Sequence, residues 1–160
     1  MLPTLITAAL AITGTLLGAI VSGRFQERAA ERAAHITHSE AVRRDRLEAV
    51  TALACAVSDH RRAMWMRGDA ILEELPAARK QTLLDESHMT RSAVTRPLVA
   101  VRVLIEDQAV RAAAERMITL TYAMHDSWSS RQALTDAREG AKVAHDDFLD
   151  VAARYLGSAA

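Results

Sequence analysis

The 160-residue chain contains one cysteine, Cys55. A lone cysteine excludes an internal disulfide and any metal site built from several thiolates. Aromatic residues make up 4% of the chain, and only three prolines and six glycines interrupt it. Runs of β-branched residues between turn clusters are nearly absent, so the pattern of a β-protein is missing. Neither charge sign is in excess, since 20 basic residues balance 20 acidic ones. A dedicated nucleic-acid surface needs a basic excess on one face, so no direct nucleic-acid partner is expected. There is no G-x-x-x-x-G-K-[ST], no G-x-S-x-G and no H-E-x-x-H. The chain is therefore not expected to be an enzyme, and catalytic residues, cofactors and metal ligands are all expected to be none. What remains is dominated by Ala, Arg, Glu and Leu, which lose little side-chain entropy in a helix. The composition predicts an all-α protein.

One long uncharged run stands out. Residues 2–23 carry no charge, and as a helix these 22 residues rise about 33 Å, against roughly 30 Å of bilayer hydrocarbon. Leu2, Leu5, Ile6, Leu10, Ile12, Leu16, Leu17, Ile20 and Val21 favour insertion by roughly 4 kcal/mol together, less what four threonines and two interior glycines remove. A secretion signal would carry a basic start, which Met1-Leu2-Pro3 lacks. A buried core helix rarely runs uncharged on every face for this length. A transmembrane helix over 2–23 is expected. Arg24, Arg28 and Arg32 follow it directly, which puts the N-terminus outside and the remainder in the cytoplasm under the positive-inside rule. The predicted location is the cell membrane, single-pass, with lipid as one partner. Ala11, Gly14, Gly18 and Ser22 lie on one face of that helix, and Gly14-x-x-x-Gly18 lets two backbones approach closely. This face points to a homo-oligomer. Glycine is also simply common in membrane helices, and the motif fits either reading.

Residues 24–46 read as a charged helical stalk, with Arg24–Glu27 and Arg28–Glu31 at i,i+3 and apolar residues too sparse to bury a face. Residues 47–157 read as an antiparallel bundle of about four helices. Its first stripe is Leu47, Val50, Ala54, Val57 and Met64, broken by Arg61, with Gly68 and Pro76 marking the end region. Leu84, Val94, Leu98, Val101 and Ile105 form a second stripe, which Pro97 should kink or divide. Asp107 reads as the N-cap of a third helix carrying Val110, Ala113, Met117, Leu120 and Met124. After a turn at "SWSS", the last helix carries Leu134, Ala137, Ala141, Ala144, Phe148, Val151 and Tyr155. That spacing alternates 3 and 4, the seam of a bundle or coiled coil.

Candidate sites are few. His35 and His38 sit on the stalk without a fitting acidic or thiol partner. His60, His88, His125 and His145 are scattered along the bundle, and the Glu-x-x-His of a di-metal bundle does not occur. Asp146 and Asp147 beside His145 point in different directions on a helix. Cys55 falls in the alanine-rich stripe and reads as a small core residue. "RRDR" (43–46) begins some 30 Å along an upright stalk, too far for anionic lipid across a Debye length of about 8 Å. The stretch "SDHRRAMWMRGD" (58–69) sets Trp65 among Arg61, Arg62 and Arg67, the composition of an interface anchor. The structural alternative places Met64 or Trp65 in the core, with the arginines paired to Asp59 and Asp69.

The order of these stretches resembles a known family. An N-terminal span runs into a charged helix, followed by "RRDRLEAVTALACAVSDHRRAMW", "TRSAVTRPLVAVRVLI" and a closing "AKVAHDDFLDVAARYL". This is similar to the small KilB-like proteins of filamentous actinobacteria, which are associated with conjugative plasmids. The resemblance implies a membrane-associated protein linked to plasmid transfer and spread between hyphal compartments, and it brings no catalytic residues. The resulting expectation is a membrane-anchored, non-enzymatic interaction or scaffold protein with a cytoplasmic protein partner. The alternative is a membrane-active pore-former or growth-inhibiting toxin, with Thr7, Thr13 and Thr15 lining an oligomeric pore.

Overall fold

No glycine or proline occurs between Gly23 and Gly68, so nothing in that stretch opposes helix propagation. The structure, a computed structural model, describes residues 39–158. Helix α1 occupies residues 39–72, α2 Ala77–Leu104, α3 Gln108–Ala123 and α4 Arg131–Ser158, with a 3-10 turn at Met124–Ser127. Among the described residues there is no strand. The chain divides into two units, Met1–Val42 and Arg43–Ala160, and the second holds the bundle. None of the described helices is long and apolar enough to cross a membrane. The span expected over 2–23, its Ala11, Gly14, Gly18 and Ser22 face, and the stalk residues His35 and His38 lie outside the described residues.

Cross-helix contacts set the direction of each helix. Arg46 at the start of α1 donates to the Leu104 carbonyl at the end of α2 (2.9 Å), and His60 meets Thr90 midway (3.0 Å). His145 on α4 lies against the Ala54 carbonyl (3.3 Å), and Arg131, the first residue of α4, pairs with Asp69 near the end of α1. The helices therefore run up, down, up and down, as short connections require.

Each connection closes with specific chemistry. α1 ends in a Schellman arrangement. Leu75 N–H reaches the Ala70 carbonyl (3.0 Å) and Glu74 N–H reaches Ile71 (3.1 Å). The left-handed residue it needs is Glu74, at φ 54°. Pro76 then forbids continuation and begins α2. The carbonyls orphaned at the end of α2 are met by arginines. Arg111 donates to Ile105 (2.7 Å) and Arg102 (2.8 Å), beside Arg46 on Leu104. Asp107 caps α3, accepting from Val110 N–H at 2.9 Å, as the sequence predicts. Ser130 does the same for α4 through Ala133 N–H (3.1 Å).

Two apolar clusters fill the interior. The larger joins Val50, Leu53 and Val57 to Val94, Val101, Ile105, Val110, Met117 and Phe148. The smaller holds Met64, Met124, Leu134 and Ala141, flanked by Trp65 and Trp128. A fully buried side chain of this size contributes about 1.5–3 kcal/mol by leaving water.

Several expectations change here. Leu47 is exposed (54%), and the first stripe runs through Ala49, Val50, Leu53, Ala54 and Val57. Cys55, one residue past that stripe, is exposed and not a core residue. The first stripe does not break at Arg61, because buried His60 occupies the inward position beside it. Leu83, not Leu84, is the buried residue at the start of α2. Pro97 does not divide α2, which runs through it for 28 residues. Val94 and Val101, fully buried on either side, hold the segment helical across the bond that Pro97 cannot make to Ala93. Gly68 does not end α1 but lies within it. A Cβ there would stand 2.6 Å from the Trp128 indole and 3.0 Å from Leu134, so glycine is what lets Trp128 lie on the helix.

Candidate interaction site

At about 100° per residue, the stretch 58–69 cannot present its unusual residues to one surface. Trp65 and Arg61 face α4. The Arg138 guanidinium lies over the Trp65 ring at 4.7 Å and that of Arg131 at 6.0 Å. Asp69 and Glu73 pair with Arg131 and not with the arginines of their own stretch. Those bonds, the Asp69 one first, hold Arg131 above its ordinary pKa. Arg61 donates to Ser58 (3.2 Å), and its other terminal nitrogen is buried without a hydrogen-bond partner. Burial lowers the Arg61 pKa, and Asp146 and Glu139 on α4 act against that shift.

Arg62 and Met66 turn outward. With Asp59 and Ala63 they border a groove of about 290 Å³ whose other wall is Glu86, Met89 and Thr90 of α2. Met89 is 72% exposed and Met66 38%. Methionine at an exposed surface is flexible and polarizable, suited to packing against varied partners.

His60, Met64 and Arg67 turn the third way, towards α2 and the end of α3. His60 is 2% exposed, a buried polar residue. The Thr90 hydroxyl gives its single proton to the Glu86 or Ser87 carbonyl (3.1 Å each), so it accepts from His60 Nδ1. The edge of Tyr122 meets the His60 ring at 5.2 Å. Burial first, and Arg91 second, push the His60 pKa down to about 4, so the ring is neutral at pH 7. Arg67 lies over the Trp128 ring (4.7 Å) and Arg91 over Tyr122 (4.4 Å). Both His125 nitrogens face acceptors, the Tyr122 carbonyl (2.9 Å) and Asp126 (2.8 Å). Together these residues enclose a cavity of about 150 Å³.

The four predicted interface residues thus separate. Trp65 and Arg61 go to the α1–α4 seam, Arg62 to the outer groove and Arg67 to the cavity. The convergence of His60, His88 and His125 is not visible in their sequence spacing. The signal for it is Gly68, which admits Trp128, and no periodicity argument reads a glycine that way. His145 stays apart, on the Ala54 carbonyl and beside Asp146 (3.4 Å).

The sequence model of the family described as KilB plasmid transfer protein matches residues 47–156, which span all four helices from α1 to α4. The chain belongs to this family. It is 37% identical over 154 residues to Protein KilB of Streptomyces lividans, covering 96% of this chain and all of that protein. No solved structure matches. KilB membership gives the chain a plasmid-related role, and the all-helical bundle is the part of the family sequence that the structure describes.

Proposed function

We propose that this KilB-family protein is a membrane-anchored, non-enzymatic interaction component of plasmid transfer or spread, with its bundle in the cytoplasm. The observation that carries the interaction role is the outer groove of α1 and α2, where Met66 and Met89 stand exposed between Arg62, Asp59 and Glu86. Apolar residues rimmed by charges of both signs suit a protein partner, because the rim orients it and the methionines supply buried area. Anchoring is supported by the uncharged run 2–23 and the arginines after it. Self-association through Gly14 and Gly18 completes the assembly.

Two experiments test this. The first is protease treatment of intact spheroplasts carrying a C-terminal tag, with carbonate-washed membranes alongside. A membrane-bound tag protected until lysis supports the topology; digestion, or a shortened soluble form, removes it. The second is plasmid transfer with Met66→Lys and Met89→Lys combined. Transfer should fall at unchanged protein level and helical content, and wild-type transfer would remove the groove from the proposal.

A further inference from the structure

The cavity between α1, α2 and the end of α3 combines features that the interaction role does not use. Arg67, Arg91, His60, His88 and His125 line it with Trp128, and no aspartate or glutamate does among the described residues. The chain as a whole is neutral, so a wall of cationic and neutral groups without one carboxylate is a local departure. Neither arginine has a carboxylate partner among the described residues. Each has its guanidinium carbon over an aromatic ring, Arg67 over Trp128 and Arg91 over Tyr122. A cation–π contact restrains a guanidinium without using up its N–H donors. A guanidinium carries five N–H donors, and Arg67 places one bond, a long 3.4 Å contact to Ser87. Arg91 places none within the described protein.

Other groups near the cavity are already committed. His125 is held by Asp126 and Tyr122, and His60 is neutral and bonded to Thr90. Two planar forks on different helices, held by aromatic rings at one small cavity, are a receptor for a planar or tetrahedral oxyanion. Burial lowers the Arg67 pKa, as expected of a cation with no counter-charge beside it. The volume, about 150 Å³, admits a phosphate group with a short substituent and excludes a nucleotide.

We propose that Arg67 and Arg91 form a binding site for a phosphate-class oxyanion in this cavity, either free or as the phosphoryl end of a small monoester. The site shares no lining residue with the Met66–Met89 groove, which also runs between α1 and α2.

The test is ¹⁹F NMR of the full chain labelled with 5-fluorotryptophan, whose two signals are assigned with a Trp65→Phe variant. Inorganic phosphate, glycerol 3-phosphate and chloride are titrated at matched ionic strength. The Trp128 signal should shift saturably with phosphate while Trp65 holds still. Saturation by glycerol 3-phosphate as well assigns the monoester; saturation by phosphate alone assigns the free ion. Arg67→Gln and Arg91→Gln should each weaken phosphate binding at least tenfold, and Arg138→Gln, under Trp65, should not. If a glutamine variant loses its helical signal, Arg67→Lys and Arg91→Lys replace it, with several-fold weaker binding expected from a point charge without the fork. A Trp128 shift that fails to saturate, equals that in chloride, or keeps its affinity in the folded arginine variants overturns the site.

Discussion

The two ends of the bundle are built by different means. Around Phe148 the interior is apolar on all four helices, from Leu53 and Val57 across Val94 and Ile105 to Val110 and Met117. Around Trp128 the apolar residues are fewer, and histidine, serine, threonine and stacked arginine take their place. The first end gains stability through area alone, which is non-directional and tolerant of exchange. The second needs partners for every buried polar group, and two groups, Arg61 Nη1 and Trp128 Nε1, are buried without one. The turns follow the same division. At the Phe148 end, Asp107 caps α3 and Arg111 and Arg46 meet carbonyls at the end of α2; at the Trp128 end, the α1–α2 turn places a glutamate in a left-handed conformation. Stability is concentrated at one end, and chemistry at the other.

The sharpest way to break this comparison is Phe148→Ala. It leaves a cavity among residues that cannot collapse together, and it should cost about 3–5 kcal/mol in urea unfolding. A loss well under that range would mean the apolar end does not dominate.

Acid should act on the other end. His60 titrates near 6.5 when unfolded and at about 4 when folded. Between those values the unfolded chain binds the extra proton, so stability rises with pH there. The contribution of neutral His60 is complete above pH 6.5 and is lost as pH falls towards 4, roughly 3 kcal/mol at most. Denaturation across pH 4–7 should show that slope, and His60→Gln should flatten it.

Gly68→Ala is smaller. It gains about 1 kcal/mol of helix propensity but drives a Cβ into the Trp128 ring and Leu134, an overpacking cost of about 1–3 kcal/mol. Net destabilisation of about 1 kcal/mol is expected, with a shift in tryptophan emission, and Trp128→Leu should relieve it. Stabilisation by Gly68→Ala in the wild-type background would mean the indole has room to move.

The smallest effect sharpens the contrast in turns. Glu74→Gly removes the side chain from a left-handed position and should raise stability by about 0.5–1 kcal/mol. A matching gain in thermal unfolding would locate strain at the Trp128 end.

The legible parts of this structure are those decided by local chemistry. Asp107 and Pro76 act as the sequence predicts, because a cap and a missing imide N–H work within a turn of themselves, whereas Pro97, expected to kink or divide its helix, does not divide it. The stripe of α4 is read well through Leu134, Ala141, Ala144 and Phe148, then slips to Ala152 and Leu156, where a 3.5-residue repeat drifts against a 3.6-residue helix. Cys55 and Leu47 are misread for a related reason: Cys55 lies one position from buried Ala54 and Leu47 two from buried Ala49, and composition does not say where the stripe's centre falls.

By itself the sequence determined the helical class, the turns, the uncharged run at residues 2–23 and the family texture, because propensity, capping and hydropathy are properties of neighbouring residues. Only the tertiary structure decided that Arg67 lies on Trp128, that Arg131 pairs with Asp69 of α1 and Glu73 just beyond it, and that three distant histidines share one cavity. These depend on the rotation of each helix about its axis, which is set by how all four pack and by a single glycine that makes room for an indole.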